Sequence, residues 1–266
     1  METVPEEVSA WAVERAEARR VRDFGRADEL RTRIAAAGWE VVDEPTGFAL
    51  RRAGAIRPAP SVSVLLDVRT WPQDASRFLG SVGRHSPSCE VEVVEVDADL
   101  GFGAGHNAAL EAATAGIVVI ADTSLELTGD LLAALVDALT DPAVAVAGPF
   151  GLVSGDLRDY EERTVGDVVA VQGYCLAARR ADLEPAGGVR ESFAFYRNAD
   201  IDLSLRLRTL RPGAPRRAVA VGADLCVRHA HRAWEATPEE ERDRASRRNM
   251  GRVLKRFGDR LDLAVT

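Results

Sequence analysis

Ser61-Val62-Ser63-Val64-Leu65-Leu66-Asp67-Val68 is the stretch on which the reading of the fold turns. Its apolar run is nearly continuous and rich in branched residues, the pattern of a strand covered on both faces. Onward from it, residues 73–83 predict a helix, 91–96 a strand, 107–115 a helix, 117–120 a strand, 129–139 a helix and 143–147 a strand. Strands that alternate with helices predict an α/β domain with a mainly parallel sheet flanked by helices. In such sheets ligands sit beyond the carboxyl ends of the strands.

Backward from Ser61 the texture differs. Val8, Trp11 and Ala12, then Phe24, Ala27, Leu30 and Ile34, recur at helical spacing. Asp23 is placed to cap the second helix and Gly38 to end it. Residues 39–43 and 48–51, around a turn at Pro45-Thr46-Gly47, predict a short β-hairpin. Two prolines within 53–60 mark a linker. The chain therefore divides into a small helical and β-hairpin module over 1–52, a linker over 53–60 and the α/β domain over 61–266.

The 266 residues carry a net charge of −8. An acidic chain argues against bulk nucleic-acid binding. No apolar stretch approaches the ~18–20 residues that span a bilayer, and the acidic start lacks the layout of a secretory signal, so a cytoplasmic location is expected. Cys89, Cys175 and Cys226 stand far apart and read as small buried apolar residues. Lys255 is the single lysine beside many arginines, a bias that gives the arginine content no meaning of its own.

Four stretches carry chemistry. Leu100-Gly101-Phe102-Gly103-Ala104-Gly105-His106-Asn107 follows a strand and opens a helix, where glycines admit close backbone approach and a helix start attracts anions. It follows the second strand rather than the first, which argues against a dinucleotide fold. Asp122-Thr123-Ser124 ends a buried strand, where Asp122 can ligate a cation or cap a turn. In Tyr196-Arg197-Asn198-Ala199-Asp200-Ile201-Asp202-Leu203, Asp200 falls at a helix start and can act as a base, while Asp202 and Arg206 can form an i,i+4 ion pair. Arg228-His229-Ala230-His231 can offer one imidazole to a metal.

In their order, these stretches resemble the family 2 glycosyltransferases of the GT-A fold, in particular the rhamnosyltransferase-like members, over about three quarters of the chain. Gly101, Phe102 and Asn107 match a glycine loop, and Gln172-Gly173-Tyr174-Cys175 an acceptor-side segment. Asp200, Asp202, Leu203 and Arg206 match the helix carrying the base. The resemblance implies an inverting transfer from a nucleotide-diphosphate sugar to an acceptor hydroxyl of a glycan or lipid-linked molecule. It assigns Asp200 as catalytic base, and Asp67, Gly101, Phe102, Asn107 and Asp122 to the nucleotide-sugar. Gly173, Tyr174, Asp202 and Arg206 fall to the acceptor side, and Asp122, Ser124 and His229 to a divalent metal, Mg2+ or Mn2+. The chain departs from the family where Ser124 and Ala199 replace carboxylates. It also departs where one base-binding strand is missing, leaving Asp97 and Asp99. A degenerate, non-catalytic binding or docking domain is thus a second reading.

The first fifth of the chain resembles the C-terminal helical tail of cysteinyl-tRNA synthetases. The resemblance runs through Arg19-Arg20, Arg22-Asp23-Phe24, Arg26-Ala27-Asp28, Leu30-Arg31, Gly38 and the Asp43-Pro45-Gly47 positions. A docking role, or a tRNA-associated one, follows from that resemblance.

Overall fold

The computed structural model describes residues 4–21, 23–44, 47–52 and 59–266. The turn residues Pro45 and Thr46, and positions 53–58 of the expected linker, lie outside them. The chain separates into two compact units, 1–58 and 59–266.

The first unit holds α1 (Glu6–Arg20), α2 (Phe24–Ala36), β1 (Trp39–Glu44) and β2 (Gly47–Arg52). Val8, Ala12, Ile34, Trp39 and Val41 form its core, with Trp11, Phe48 and Leu50 packed against them. The Asp23 carboxylate accepts the Arg26 amide at 3.0 Å and so caps α2. Gly38, at φ +78°, turns the chain out of that helix. The two strands pair antiparallel from Trp39 with Arg52 to Glu44 with Gly47. Phe24, at the first position of α2, stands exposed rather than in the core.

The second unit runs β3 (Ser61–Leu66), α3 (Pro72–His85), β4 (Glu90–Glu95), α4 (Phe102–Ala112), β5 (Ile117–Ala121), β6 (Leu125–Leu127), α5 (Leu131–Ala138), β7 (Val144–Gly148), β8 (Gly151–Val153) and β9 (Glu161–Arg163). It continues through β10 (Val165–Val168), β11 (Ala170–Val171), β12 (Cys175–Arg179), α6 (Arg180–Leu183), α7 (Ala199–Arg208), β13 (Arg217–Val221), β14 (Cys226–Arg228), α8 (Arg232–Ala236) and α9 (Glu239–Phe257). The central sheet has seven strands in the order β10-β13-β7-β12-β5-β3-β4. Five of the seven (β3, β4, β5, β7 and β13) run the same way, and β10 and β12 oppose them.

Period-two alternation sorts the core onto the two faces of this sheet. Val62, Val64, Leu66, Val119 and Ala121 pack with Phe78 of α3 and Leu131 and Leu135 of α5. Leu65, Val118 and Ile120 pack with Leu110 of α4, Leu203 and Leu207 of α7 and Val253 of α9. In the register Leu65 lies opposite Ile120 and Leu66 opposite Glu95, so Asp67, Asp97 and Asp122 emerge at one edge. β12 inserts antiparallel with Cys175 opposite Ala121. Its beginning, with Gly173 and Tyr174 just before it, therefore reaches the edge where the parallel strands end. None of the described helices is long and apolar enough to cross a membrane.

α4 begins at Phe102, five residues before the predicted start, because Gly103 and Gly105 join the helix. Gly101, at φ +81°, makes the turn into it.

One polar contact fastens the edge strand β4. Buried Ser63 donates to Glu92, which also accepts the amides of Thr114 and Ala115 at 2.6 and 3.2 Å and the Thr114 hydroxyl at 2.8 Å. These bonds, that of Ser63 foremost, hold the Glu92 carboxyl at about 2, below its ordinary 4.5. Because the folded value is depressed, the stabilisation is complete above pH 4.5 and disappears as the pH falls through 2. Glu92→Gln is expected to cost about 1 kcal/mol at neutral pH and almost nothing near the folded value, Glu92 being partly exposed. Urea unfolding of both forms across pH 2–7 measures it, and a pH-independent difference contradicts the assignment.

Candidate active site

α7 is buried along almost its whole length, and its first turn opens into a cavity of about 620 Å3. Asn198, left-handed at φ 65°, stands at the N-cap position of the helix, its side chain donating to the Ser246 carbonyl at 3.1 Å rather than capping, and Asp200 follows in the first turn. The two Asp200 oxygens accept the Gly173 amide and the Ile201 amide, each at 2.9 Å. Burial pushes the Asp200 carboxyl above its ordinary range, and those two amides oppose the shift only in part. A carboxylate held in place yet raised in basicity is suited to take a proton from a hydroxyl.

Asp122 and His231 line the same cavity. Asp122 follows β5, and its own amide donates to the Tyr174 carbonyl at 3.0 Å. One carboxylate oxygen accepts the Ser124 amide at 2.8 Å and the Ser124 hydroxyl as well. The other lies 3.4 Å from His231 Nε2. Tyr196 stacks on the His231 ring at 4.6 Å and Tyr174 meets it edge-on at 5.7 Å. Tyr160, Trp234, Phe102 and Met250 line the remaining wall. Burial pushes the Tyr160 hydroxyl up to about 12, so that it stays protonated as a donor.

The spacing of this pair suits a cation, but His231 Nδ1 accepts the Trp234 amide at 3.2 Å, which puts the ring proton on the Nε2 that faces Asp122. Ligating a cation there requires the other tautomer and gives up the Trp234 bond. Two ligands on neighbouring positions of one ion, each about 2.1 Å from it, stand about 3–3.5 Å apart, and the Asp122–His231 spacing of 3.4 Å falls in that range. Among the described residues no third His, Cys, Asp or Glu joins them. Mg2+ is commonly bound by one or two protein groups, with substrate phosphates and water filling the rest.

His229 and Ser124, expected at the metal, are not placed to hold it. Ser124 turns its hydroxyl onto Asp122 and is buried. The β14–β6 register sets Arg228 opposite Leu125, and the His229 amide donates to the Ser124 carbonyl at 2.7 Å. That directs its ring to Glu126, at 2.8 Å. The chain then turns, and His231 rather than His229 faces Asp122. The two histidines, two residues apart, were visible in the sequence; which one returns to the cavity was not.

The glycine loop also departs from expectation. Phe102 lines the cavity, but Gly101 and Asn107 do not. The amides of Phe102 and Gly103 donate to the carbonyls of Ala194 and Phe193, each at 3.2 Å, so these two amides at the start of α4 are not open to a phosphate. Asn107 holds both backbone groups of Val189, at 2.7 and 2.8 Å. Asp202 and Arg206, expected on the acceptor side, are absent from the cavity wall. Asp202 accepts from Arg206 and Arg190 at 2.7 and 3.1 Å, and Arg206 also grips the carbonyls of Ala186 and Gly188 at 2.6 and 2.8 Å. Asp67 caps a turn, accepting the amides of Arg69 and Thr70 at 3.0 Å. Asp97 pairs with Arg69 at 2.9 Å and caps the turn that Asp99 enters.

His106, quoted within the loop but given no role, is buried on α4 with Nδ1 2.7 Å from the Phe102 carbonyl. Burial lowers its pKa against the pull of Asp67 and Asp122. Tyr196 was quoted beside Asp200 without a role, and Trp234 was not singled out; their proximity to Asp200 and His231 along the chain was the available signal.

No protein-family model matches the chain. Among solved structures, GalNAc-T7 with UDP, GalNAc and Mn2+ superposes with a TM-score of 0.58 at 12% identity, over 76% of this chain and 49% of that one. A mannosyltransferase from Pyrobaculum calidifontis, in complex with GDP-Man and Mn2+, gives a TM-score of 0.54 at 18% identity, over 96% and 80%. The fold is that of the GT-A glycosyltransferases. A short N-terminal segment is 48% identical over 50 residues to a cysteine–tRNA ligase of Opitutus terrae. That match takes in 19% of this chain and 11% of the ligase. The chain thus spans about half of the first structure's length and about a tenth of the ligase's.

In this GT-A domain the glycines of α4 serve packing. A Cβ at Gly103 would lie 2.4 Å from the Arg190 carbonyl oxygen, and one at Gly105 2.3 Å from that of Asp97. Gly103→Ala is expected to lower stability by about 1–3 kcal/mol. Thermal unfolding reads the loss, and an unchanged midpoint contradicts the close approach.

Proposed function

We propose that this chain transfers a sugar from a nucleoside-diphosphate sugar to an acceptor hydroxyl with inversion, using Asp200 as the base. The observation that carries the reading is the meeting of Asp200 with Asp122 and His231 in one aromatic-walled cavity of about 620 Å3. Asp122 and His231 would hold a divalent cation, which supplies positive charge to the diphosphate leaving group. Asp200 accepts the proton of the attacking hydroxyl, fixed in aim by the Gly173 and Ile201 amides. Tyr196, Tyr174 and Trp234 supply flat apolar faces to a sugar or to the carrier of the acceptor, and exclude water around the reacting groups.

A screen of nucleotide-sugars with Mg2+ or Mn2+, read by released nucleotide, tests the reading. Asp200→Asn is expected to lower turnover at least about 100-fold while nucleotide binding persists. Since the folded Asp200 carboxyl lies above its ordinary 3.8, kcat/KM is expected to fall on the acid side at a pH above that value. Turnover untouched by the substitution removes Asp200 as the base.

The metal pair has its own check. His231→Ala is expected to weaken Mn2+-dependent nucleoside-diphosphate binding about tenfold or more, and His229→Ala to leave it unchanged. The reverse order in calorimetry returns the role to His229.

One observation favours a second reading, a binding domain without catalysis: the start of α4 and the Asp202–Arg206 pair are committed to internal contacts. Nucleotide binding without turnover of any nucleotide-sugar favours it. In either reading the N-terminal unit serves as a docking element, and a salt-sensitive tRNA gel shift that requires residues 1–52 would give it an RNA role instead.

A further inference from the structure

α9 places Arg244, Arg248, Arg252 and Arg256 at every fourth position, with Lys255 beside the last. Positions four apart share one helix face. In a chain of net charge −8, this is a local concentration of positive charge. The stripe runs into a separate cavity of about 380 Å3, walled by Arg190, Ser192, Asp202, Arg252, Lys255 and Arg256. Four cations thus face a single carboxylate there, among the described residues.

That carboxylate is itself incompletely used. Asp202 is 1% exposed, and its Oδ2 accepts from Arg206 and Arg190. Its Oδ1 is buried and accepts no hydrogen bond, with an Arg256 nitrogen 3.5 Å away. A buried carboxylate oxygen without a donor is costly, and the shortfall calls for a group that fills it. Arg252 spends one nitrogen on the Ser192 carbonyl at 2.6 Å and on Asn249 at 2.9 Å. Lys255 and Arg256 are exposed and can turn toward a ligand. The excess of positive charge asks for an anion; Oδ1 is closed to solvent with the Arg256 guanidinium 3.5 Å away, so a hydroxyl reaches it only as Arg256 turns from it to that anion.

We propose that this cavity binds a phosphate ester bearing a neighbouring hydroxyl. The phosphate lies against Lys255, Arg256, Arg252 and Arg190, and the hydroxyl donates to Asp202. Arginine forks and a lysine suit phosphate oxygens, and a hydroxyl donor completes the carboxylate. This chemistry is offered by a free polyol phosphate and by a phospholipid headgroup alike. The site is separate from the Asp200 cavity and stands whether or not the chain transfers a sugar.

The test uses the full chain. Calorimetry with glycerol 3-phosphate and with inorganic phosphate reads the free ligands. Co-sedimentation with phosphatidylglycerol vesicles, against phosphatidylcholine vesicles, reads the headgroup. Glycerol 3-phosphate is expected to bind several-fold more tightly than inorganic phosphate, or the phosphatidylglycerol vesicles to be bound where the neutral ones are not. The first outcome identifies a free ester and the second a lipid headgroup. Lys255→Glu is expected to weaken whichever binding is seen by at least about tenfold, and Lys255→Arg to retain it. Lys255→Ala, at this exposed position, serves if the charge reversal does not fold. No binding of either kind overturns the proposal. So does binding that survives both Lys255→Glu and Lys255→Ala, or a free phosphate that binds as well as its glycerol ester with no vesicle preference.

Discussion

The backbone of residues 188–194 lies against α4 at a distance that no side chain would permit. Gly103 leaves room for the Arg190 carbonyl, and the Phe102 and Gly103 amides bond to the chain at 193–194. Asn107 completes the contact by reproducing, with one side chain, the two hydrogen bonds of a strand partner to Val189. On the far side Arg206 and Asp202, both on α7, hold the carbonyls of Ala186 and Gly188 and the Arg190 guanidinium. This irregular segment is therefore clamped between two helices by polar groups that bond within the protein, Asp202 through Oδ2 alone. α7 begins at Ala199, shortly after the segment ends, and carries Asp200 in its first turn.

Arginine supplies much of this internal fastening. Arg208 holds the carbonyls of Val169, Arg216 and Leu263, and Arg179 those of Leu139, Asp141 and Val144. A guanidinium carries five donors in a rigid plane, and carbonyls at loop ends need donors once water is excluded. Burial lowers the pKa of Arg208 to about 10, which leaves it charged at neutral pH. Most of these arginines are thus occupied, which sets the exposed group at the end of α9 apart.

The cavity owes its character to one antiparallel strand. β12 runs against its neighbours, so its beginning meets their ends, and Gly173 and Tyr174 arrive beside Asp122. A parallel strand in that place would send these residues to the opposite edge of the sheet. The same insertion lets the Gly173 amide reach Asp200, linking the sheet edge to the buried helix. The GT-A fold places these groups around one hollow; what the hollow accepts depends on the side chains grafted there.

The sequence by itself determined the alternation of strands and helices, and the residues at strand ends and helix starts. Those features are local: a period of two or of 3.6, a capping aspartate such as Asp23, a glycine such as Gly38. It also brought Asp122, Asp200, Gly173, Tyr174 and Phe102 to notice, and these line one cavity. Tertiary structure alone decided that Asn107, Asp202 and Arg206 serve the clamp and that Gly103 and Gly105 admit backbone rather than a ligand. It alone decided that His231, not His229, faces Asp122. The partners of Asn107 and Gly103, Val189 and Arg190, lie more than eighty residues away, and the choice between the histidines turns on a strand register that flips a side chain to the other face with a single residue's shift. Spacing along the chain carries no record of either.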